Sequence, residues 1–568
     1  MLTFKKIVTM KYFKFSIFAL LFVMVISCTG DFDEINTNNS GFTSDEVSAK
    51  YFLTSSQIGL YAPGRYEYWR AHLIHSDRYA GHFTFGHNRS WWADDLGYNY
   101  NAGYTDASYD WLAGYFGKVK GFADLTKEGG EFENQYMYAM ALIIKGLYYQ
   151  LYTETFGMVP YSEAGVDGIL TPKYDAQKDI YKGIIADLDN AMSIIGSTER
   201  TGIGVEDAGS NDIYCGGDLQ QWKKLANTLK LRIGLRALGA TGDDFATATI
   251  TAALAAPLLN ETSGSIVMKK DFVISEWTTA SYGDVWHDFG VGGGASWTVG
   301  ATLINLLKQN NDPRLAAYAL PAEGGSFIFT DDGDANFQER LDFIIATLDE
   351  SNAEYTIATS GANTTIDVPA GQYIGQPSRI NGDTYDFVRY TMFSVPSEAV
   401  THKRGTQVDT AYPEIILTSA ESYFLQAEAA VRGMDSDDAQ TLFASGIKEA
   451  MKLWDVSSGD VDTYIANEAM ADISVGTMEE KLEKIAIQRW LNAYTDGFEA
   501  WAVVRDTGYP SELAAGVANA TIYGLGTLNG AYPQRLRYGS GAQANPNLAA
   551  AISTQGADVQ GTKLWFAK

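Results

Sequence analysis

Residues Glu483–Pro510, EKIAIQRWLNAYTDGFEAWAVVRDTGYP, form the most informative segment of the chain. Read from Glu479 to Arg505, apolar side chains fall on more than one helical face, which predicts one long helix packed on two sides. Trp490 and Trp501 sit at helical spacing among apolar neighbours, as Trp222 does upstream, so all three are expected in the core. The same period recurs elsewhere. In Lys173–Ile195, Tyr181, Ile184, Ile185, Leu188, Ala191, Met192 and Ile195 follow a helical repeat for four turns. Thr418–Gly433 repeats the pattern and stops at a glycine, a natural helix end. Asn134–Gly157 is apolar nearly all round and predicts a helix buried on several sides. Packed pairs of such helices predict a mainly α, tetratricopeptide-like scaffold, although no clean 34-residue repeat is present.

Between about Asn260 and Pro413 the character changes. Glycine-rich stretches such as GVGGGAS and AGQYIGQPSRINGD alternate with short β-prone runs like SFIFT. Long loops inside a compact protein are usually functional. We therefore expect one interwoven unit over residues 45–568, with a helical scaffold at about 45–259 and 414–510. The irregular, partly β insertion at about 260–413 would form the binding region.

The N-terminus reads as a targeting segment. Lys5, Lys6, Lys11 and Lys14 precede an apolar run from Phe15 to Ile26, too short for a hydrocarbon core that needs roughly 20 residues. Met10 is a second candidate start. The run ends in Val25-Ile26-Ser27-Cys28, which resembles a bacterial lipobox, so residues 1–27 are expected to be a signal and Cys28 the acylated residue. More than one acyl chain gives stable anchoring without a membrane-spanning helix. Residues 28–44 are acidic and polar with no period, as expected of a tether. The formal charge of −27 argues against binding nucleic acid or anionic lipid by electrostatics. With Cys28 lipidated, Cys215 has no partner for a disulfide and reads as a small structural residue.

Two aromatic clusters lie in polar, non-periodic sequence, where a core claims them less readily. The first holds Trp91, Trp92, Tyr98 and Tyr100; the second holds Trp277, Tyr282, Trp286 and Trp297. Aromatic platforms with planar polar neighbours suit a sugar's C–H faces and hydroxyls, so these eight are the candidate ligand-binding residues. The competing reading is that they pin long loops. His72, His75, His82 and His87 crowd together but lack HExxH spacing or a nearby cysteine, so no metal site is expected. In DDGDANFQE the position of the obligatory EF-hand glycine is Phe337, and the calcium reading fails. GVGGGAS is no phosphate loop, no nucleophile motif appears, and nothing calls for a cofactor or marks a catalytic residue.

Several blocks are similar to the SusD/RagB family, in its starch-binding-associating branch. ETFGMVPYSEA at Glu154–Ala164 resembles that family's FGDVPYSEA helix exit, with Met158 where an acid is usual. TPKYDAQKDIY follows, and DIYCGGDLQQWKKLANTLKLRI resembles GD…WKKLANSLKLR. NDPRL at 311–315, GQPSRI at 375–380 and the AEA…G helix at 418–433 match further blocks. The opening segment resembles EKI…QKW…G.EAW…RTGYP, with Asp506 where a second arginine is common. YPQRLRY, NPNLAAAI and GADVQGTKLWF complete the series. These motifs carry no ligand contact. The resemblance implies non-catalytic capture of a nutrient, typically a glycan, by a lipid-anchored outer-membrane protein. Its partner would be a SusC-like TonB-dependent transporter, and family members place ligand contacts in loops comparable to the two clusters. A surface glycoside hydrolase and a helical-repeat interaction scaffold remain open, as does peptide rather than glycan cargo.

Overall fold

The computed structural model describes residues 47–85, 95–268, 297–400 and 413–568. Cys28, the signal and tether, His87, Trp91, Trp92, Trp277, Tyr282 and Trp286 lie outside the described residues. Numbering helices of nine or more residues and strands of three or more, the chain runs α1 (Ala49–Tyr61), β1 (Phe83–Phe85), α2 (Ala102–Thr126), α3 (Gln135–Phe156), α4 (Gln177–Ile195), α5 (Leu219–Ala237) and α6 (Ala246–Leu254). It continues through β2 (Ile266–Met268), β3 (Trp297–Val299), α7 (Ala301–Gln309), β4 (Gly325–Thr330), α8 (Phe337–Glu350), β5 (Thr356–Ser360) and β6 (Asn363–Val368). β7 (Glu414–Leu417), α9 (Ser419–Val431), α10 (Ala439–Lys452), α11 (Ser458–Asn467), α12 (Met478–Asn492) and α13 (Gly497–Thr507) follow.

Successive helices pack as neighbours from α2 through α6, and again in the pairs α9 with α10 and α12 with α13. Local sequence sets their ends. Asn134 accepts from the Tyr136 and Met137 N–H groups at 3.1 Å and starts α3; Asp218 starts α5 in the same way. Thr477 and Glu480 form a reciprocal capping box at the head of α12. The main buried cluster draws on residues from Ala49 to Phe566, with satellites between α9 and α10 and between α5 and α6.

The single long helix expected over Glu479–Arg505 is instead two. α12 ends at Asn492, Thr495 turns to φ +77°, and Asp496 caps α13 by accepting from the Glu499 N–H. Gly497 is required there, because a Cβ would collide with Asp77. An Asp-Gly pair is a helix start signal, and here it overrides the apolar period on either side. A second difference lies in the middle region, where α8 is a 14-residue helix inside the stretch read as loop and strand. Leu341, Ile344 and Leu348 bury one of its faces. SFIFT does form a strand, β4, in an antiparallel sheet of order β4-β6-β5.

The family blocks meet in the core as one network of charges. Arg236 on α5 binds Glu154 of α3 at 2.6 Å and Glu499 of α13 at 2.5 Å. Arg232 binds Glu421 of α9 through Nε at 2.7 Å, and Arg489 of α12 binds Glu428 of α9 at 3.0 Å. All seven side chains are buried. Arg314 of the NDPRL block pairs with Asp312 and reaches Gln488 of α12 at 2.8 Å. Beyond α13 the irregular C-terminal blocks pin the exit of α3: Leu536 N–H donates to Thr155, and the Tyr538 hydroxyl donates to Met158 at 2.6 Å. Asp506 finds its cation in Lys568 at 2.6 Å. Trp222, Trp490 and Trp501 are fully buried, each indole N–H donating inside the protein, as the sequence predicts.

Candidate functional site

The short ladder of β1 with β3 positions the site. Phe83, Thr84 and Phe85 pair antiparallel with Val299, Thr298 and Trp297. The GQPSRI block runs beside β3: Gln376 N–H donates to Val299 at 3.0 Å, and the Thr298 hydroxyl donates to Gln376 Oε1 at 2.9 Å. Gly375 permits this approach, since a Cβ would collide with the Ala301 backbone.

Arg379, at φ +63°, then points its guanidinium at four carbonyls. It donates to Gly524 (3.2 Å), Leu525 (2.9 Å), Gly530 (2.7 Å) and Ala531 (2.9 Å), and so fixes the 524–531 loop. Burial lowers its pKa from the ordinary arginine value.

These contacts enclose a cavity of about 610 Å³ between α7, α8, the GQPSRI block and the segment after α13. Phe343, Ala346, Thr347 and Glu350 line one wall at i, i+3, i+4 and i+7 on α8. Gln309 and Glu512 also face it. The Glu350 and Glu512 carboxylates are acceptors, while the Arg379 donors are taken by the fold. Aromatic edges beside free acceptors suit a ligand rich in hydroxyl donors.

Of the candidate residues the structure describes, Tyr98 reaches this cavity. It is 4% exposed, with Arg379 over its ring at 4.4 Å and Arg78 at 5.4 Å, so it offers an edge rather than an open face. Tyr100 is half-buried, covered by Arg537 at 3.9 Å, and its hydroxyl donates to Asp106 at 3.3 Å. Trp297 is fully buried on β3 and acts as core, which corrects the expectation of a stacking platform there. A β-prone Trp-Thr-Val run entering a ladder was the available signal. Arg379, Glu350 and Glu512 were not singled out from sequence; Glu350 becomes legible only once α8 is seen as a helix.

His72, His75 and His82 are buried, and burial pushes the three down to about 3, 4 and 3, so they are neutral. They pack as aromatics: His72 stacks on Tyr68 at 4.3 Å and His82 lies against Trp490 at 4.9 Å. Cys215 is buried, which raises its thiol pKa and fits a structural role. Among the described residues no group of His, Cys, Asp and Glu side chains is placed to hold a metal, and no helix is long and apolar enough to cross a membrane.

The fold has many solved relatives. A chitin-binding protein superposes with a TM-score of 0.70 at 23% identity, covering 92% of this chain and all of that one. A SusD-like protein from Bacteroides thetaiotaomicron gives 0.67 at 23% identity over 91% of this chain and 98% of its own. A chitin-binding SusD homolog from Flavobacterium johnsoniae gives 0.68 at 21% identity, again over 91% and 98%. No curated protein matches the chain. Residues 43–539 match the SusD-like family profile described as starch-binding associating with outer membrane, and the chain belongs to that family.

Proposed function

We propose that the protein is a non-catalytic glycan-binding lipoprotein of the outer-membrane surface. It is held by acylated Cys28, captures an oligosaccharide, and passes it to a SusC-like TonB-dependent transporter. Family membership supports the carbohydrate, as do the chitin-binding relatives.

The observation that carries the reading is the register of β1 with β3. Residues 86–94 begin directly after Phe85, and 269–296 end directly before Trp297, its ladder partner. The chain segments carrying Trp91, Trp92, Trp277, Tyr282 and Trp286 are thus attached at adjacent points, at one end of the ladder whose other end leads into Gly300 at the edge of the 610 Å³ cavity. Those five residues are proposed as ligand contacts, with Tyr98 at the cavity.

Titration of malto- and chito-oligosaccharides by calorimetry tests the reading, with product analysis of the same mixtures. Binding without turnover is expected. Turnover would favour a surface hydrolase, and absence of any binding an interaction scaffold. Mild detergent extraction and affinity purification should recover a large β-barrel protein in comparable amount. Recovery of the lipoprotein alone in several detergents would remove the transporter from the proposal.

A further inference from the structure

The run GQPSRIN, residues 375–381, ends in two polar side chains that both reach the irregular segment after α13. Asn381 donates through Nδ2 to the carbonyls of Ala520 (3.0 Å) and Thr521 (2.7 Å), and its N–H donates to Ile522 at 2.8 Å. The Gly524 N–H donates to the Arg379 carbonyl at 2.8 Å, with an antiparallel bridge of Ile380 and Tyr523 between these bonds. The Arg379 guanidinium takes the rest of the loop, the carbonyls of residues 524, 525, 530 and 531. One of these, the Gly530 carbonyl, also accepts from the Val517 N–H at 2.9 Å and closes the loop on itself.

The same guanidinium lies over the Tyr98 ring, and next to that ring Asn99 accepts from the Thr527 N–H at 2.8 Å. Arg379 therefore joins three walls of the 610 Å³ cavity: Pro377 and Ser378 of its own block, Val517 and Tyr523 of the loop, and Tyr98. It does so under conditions that oppose folding. It is 3% exposed, and Arg78, Tyr79 and Tyr98 are the titratable groups that act on it, with no carboxylate among them. Its left-handed backbone is strained for a side chain other than glycine. Arg236, which serves the scaffold alone, is held between two carboxylates instead. A buried cation without a counter-ion, on strained backbone beside a ligand cavity, breaks the rules of a core where a functional site would.

We propose that Arg379 is the positioning residue of the glycan site, holding the 517–531 loop in place as a cavity wall without itself touching the sugar. The inference rests on the glycan reading above and deepens it. Four of the five guanidinium N–H donors are committed to loop carbonyls, so the side chain acts through the loop. With the loop fixed in advance, Val517 and Tyr523 meet the ligand already in place. Without it the ligand must order the loop itself, and affinity falls. Lysine cannot substitute, because an ammonium has no planar fork to spread over four carbonyls and no plane to lay on Tyr98.

The test uses the full-length protein in detergent with a malto-oligosaccharide and a chito-oligosaccharide. Calorimetry gives affinity, and hydrogen exchange follows peptides covering 517–531, with α3 and α5 as the scaffold reference. In the wild type, bound oligosaccharide should slow exchange over 517–531. Arg379→Lys should lose about tenfold in affinity, with faster exchange over 517–531 and unchanged exchange in α3 and α5.

Equal affinity in the variant overturns the proposal. So does a loss of affinity with loop exchange as in the wild type, which would make Arg379 a direct ligand contact. A wild-type loop that a bound oligosaccharide leaves unprotected overturns it too, even if the variant does not fold, and leaves the glycan reading standing. If neither probe binds the wild type, the glycan reading falls and this inference with it.

Discussion

In the helical scaffold, Arg232, Arg236 and Arg489 are each closed in between carboxylates of other helices, all of them buried. Between Trp297 and Val400, Arg314 and Arg340 pair with aspartates in the same way, but two other arginines differ. Arg379 and Arg389 donate to backbone carbonyls, and Glu350 faces the open 610 Å³ cavity. Charge satisfied inside the protein specifies how the helices assemble. A carboxylate that faces a cavity, as Glu350 does, stays available to something outside. The difference explains why the family's motif blocks gave no ligand contact: their ionic residues are consumed in holding five helices together.

The strongest way to break this contrast is to remove one cation of the network. Arg236→Ala would leave Glu154 buried without its cation and Glu499 with only the longer contacts to Arg232 and Arg489, at a cost of about 3–5 kcal/mol. Denaturant unfolding measures it; a loss under about 1 kcal/mol would mean that the network does not hold the scaffold. Trp297→Ala belongs with it, although the residue was first read from sequence as a ligand contact. Its side chain is fully buried, so truncation should cost about 3–5 kcal/mol of stability. A melting temperature that stays put while glycan affinity falls would reverse that assignment.

Among the described residues, Asp496 makes no salt bridge, and buried Asp77 lies near it. Burial, and then the charge of Glu499, pushes Asp496 up to about 7. Glu499, by contrast, is held down at about 2, because Arg232 and Arg236 outweigh its burial. The folded protein therefore keeps a proton on Asp496 that the unfolded chain releases above its ordinary value of 3.8. Stability should fall as pH rises from about 4 to 7 and stay low above, by on the order of 4 kcal/mol. Asp496→Asn retains a cap acceptor for α13 without the charge. It should stabilise the protein at pH 8, leave it little changed at pH 4, and flatten the profile between. An unchanged pH profile would show that Asp496 is not protonated in the fold.

How much of this was legible follows the same division. Helix existence came through because apolar residues at Tyr181, Ile184, Leu188 and Ile195 obey one period, and all four are buried. The break after Asn492 was missed because apolar residues continue across it, and the Thr495-Asp496-Gly497 turn was outweighed by them. α8 was missed because glycine-rich sequence on both sides coloured the reading of a segment with its own helical period. The Glu154–Arg236–Glu499 bridge joins residues up to 345 positions apart, and no local pattern announces such a contact. At the candidate site, sequence could mark aromatics in polar stretches. It could not tell Trp297, which enters a ladder, from its neighbours in the same cluster.

A smaller effect is expected at Trp91 and Trp92. If they stack on sugar rings, Trp91→Ala or Trp92→Ala should lower oligosaccharide affinity by about 1–2 kcal/mol, roughly tenfold, with the melting temperature unchanged. Set beside Trp297→Ala, this separates platform from core within one set of measurements. Equal affinity in both variants would remove them from the site and turn attention to Tyr282 and Trp286.

The least effect on folding is expected at Cys28, which belongs to neither region. The described fold begins at residue 47, and the ion network and the 610 Å³ cavity use only residues beyond that point. Cys28→Ala should therefore leave the unfolding curve and oligosaccharide affinity unchanged. It should abolish fatty-acid labelling and release the protein from membranes, because stable attachment rests on the acyl chains alone. Protease shaving of intact cells should degrade the wild-type protein, given Asp31, Asp33 and Glu34 directly behind the anchor. Full protection would place it on the inner side of the outer membrane. Labelling of the variant as strong as that of the wild type would refute the lipobox, and the binding face would then need another means of reaching the cell surface.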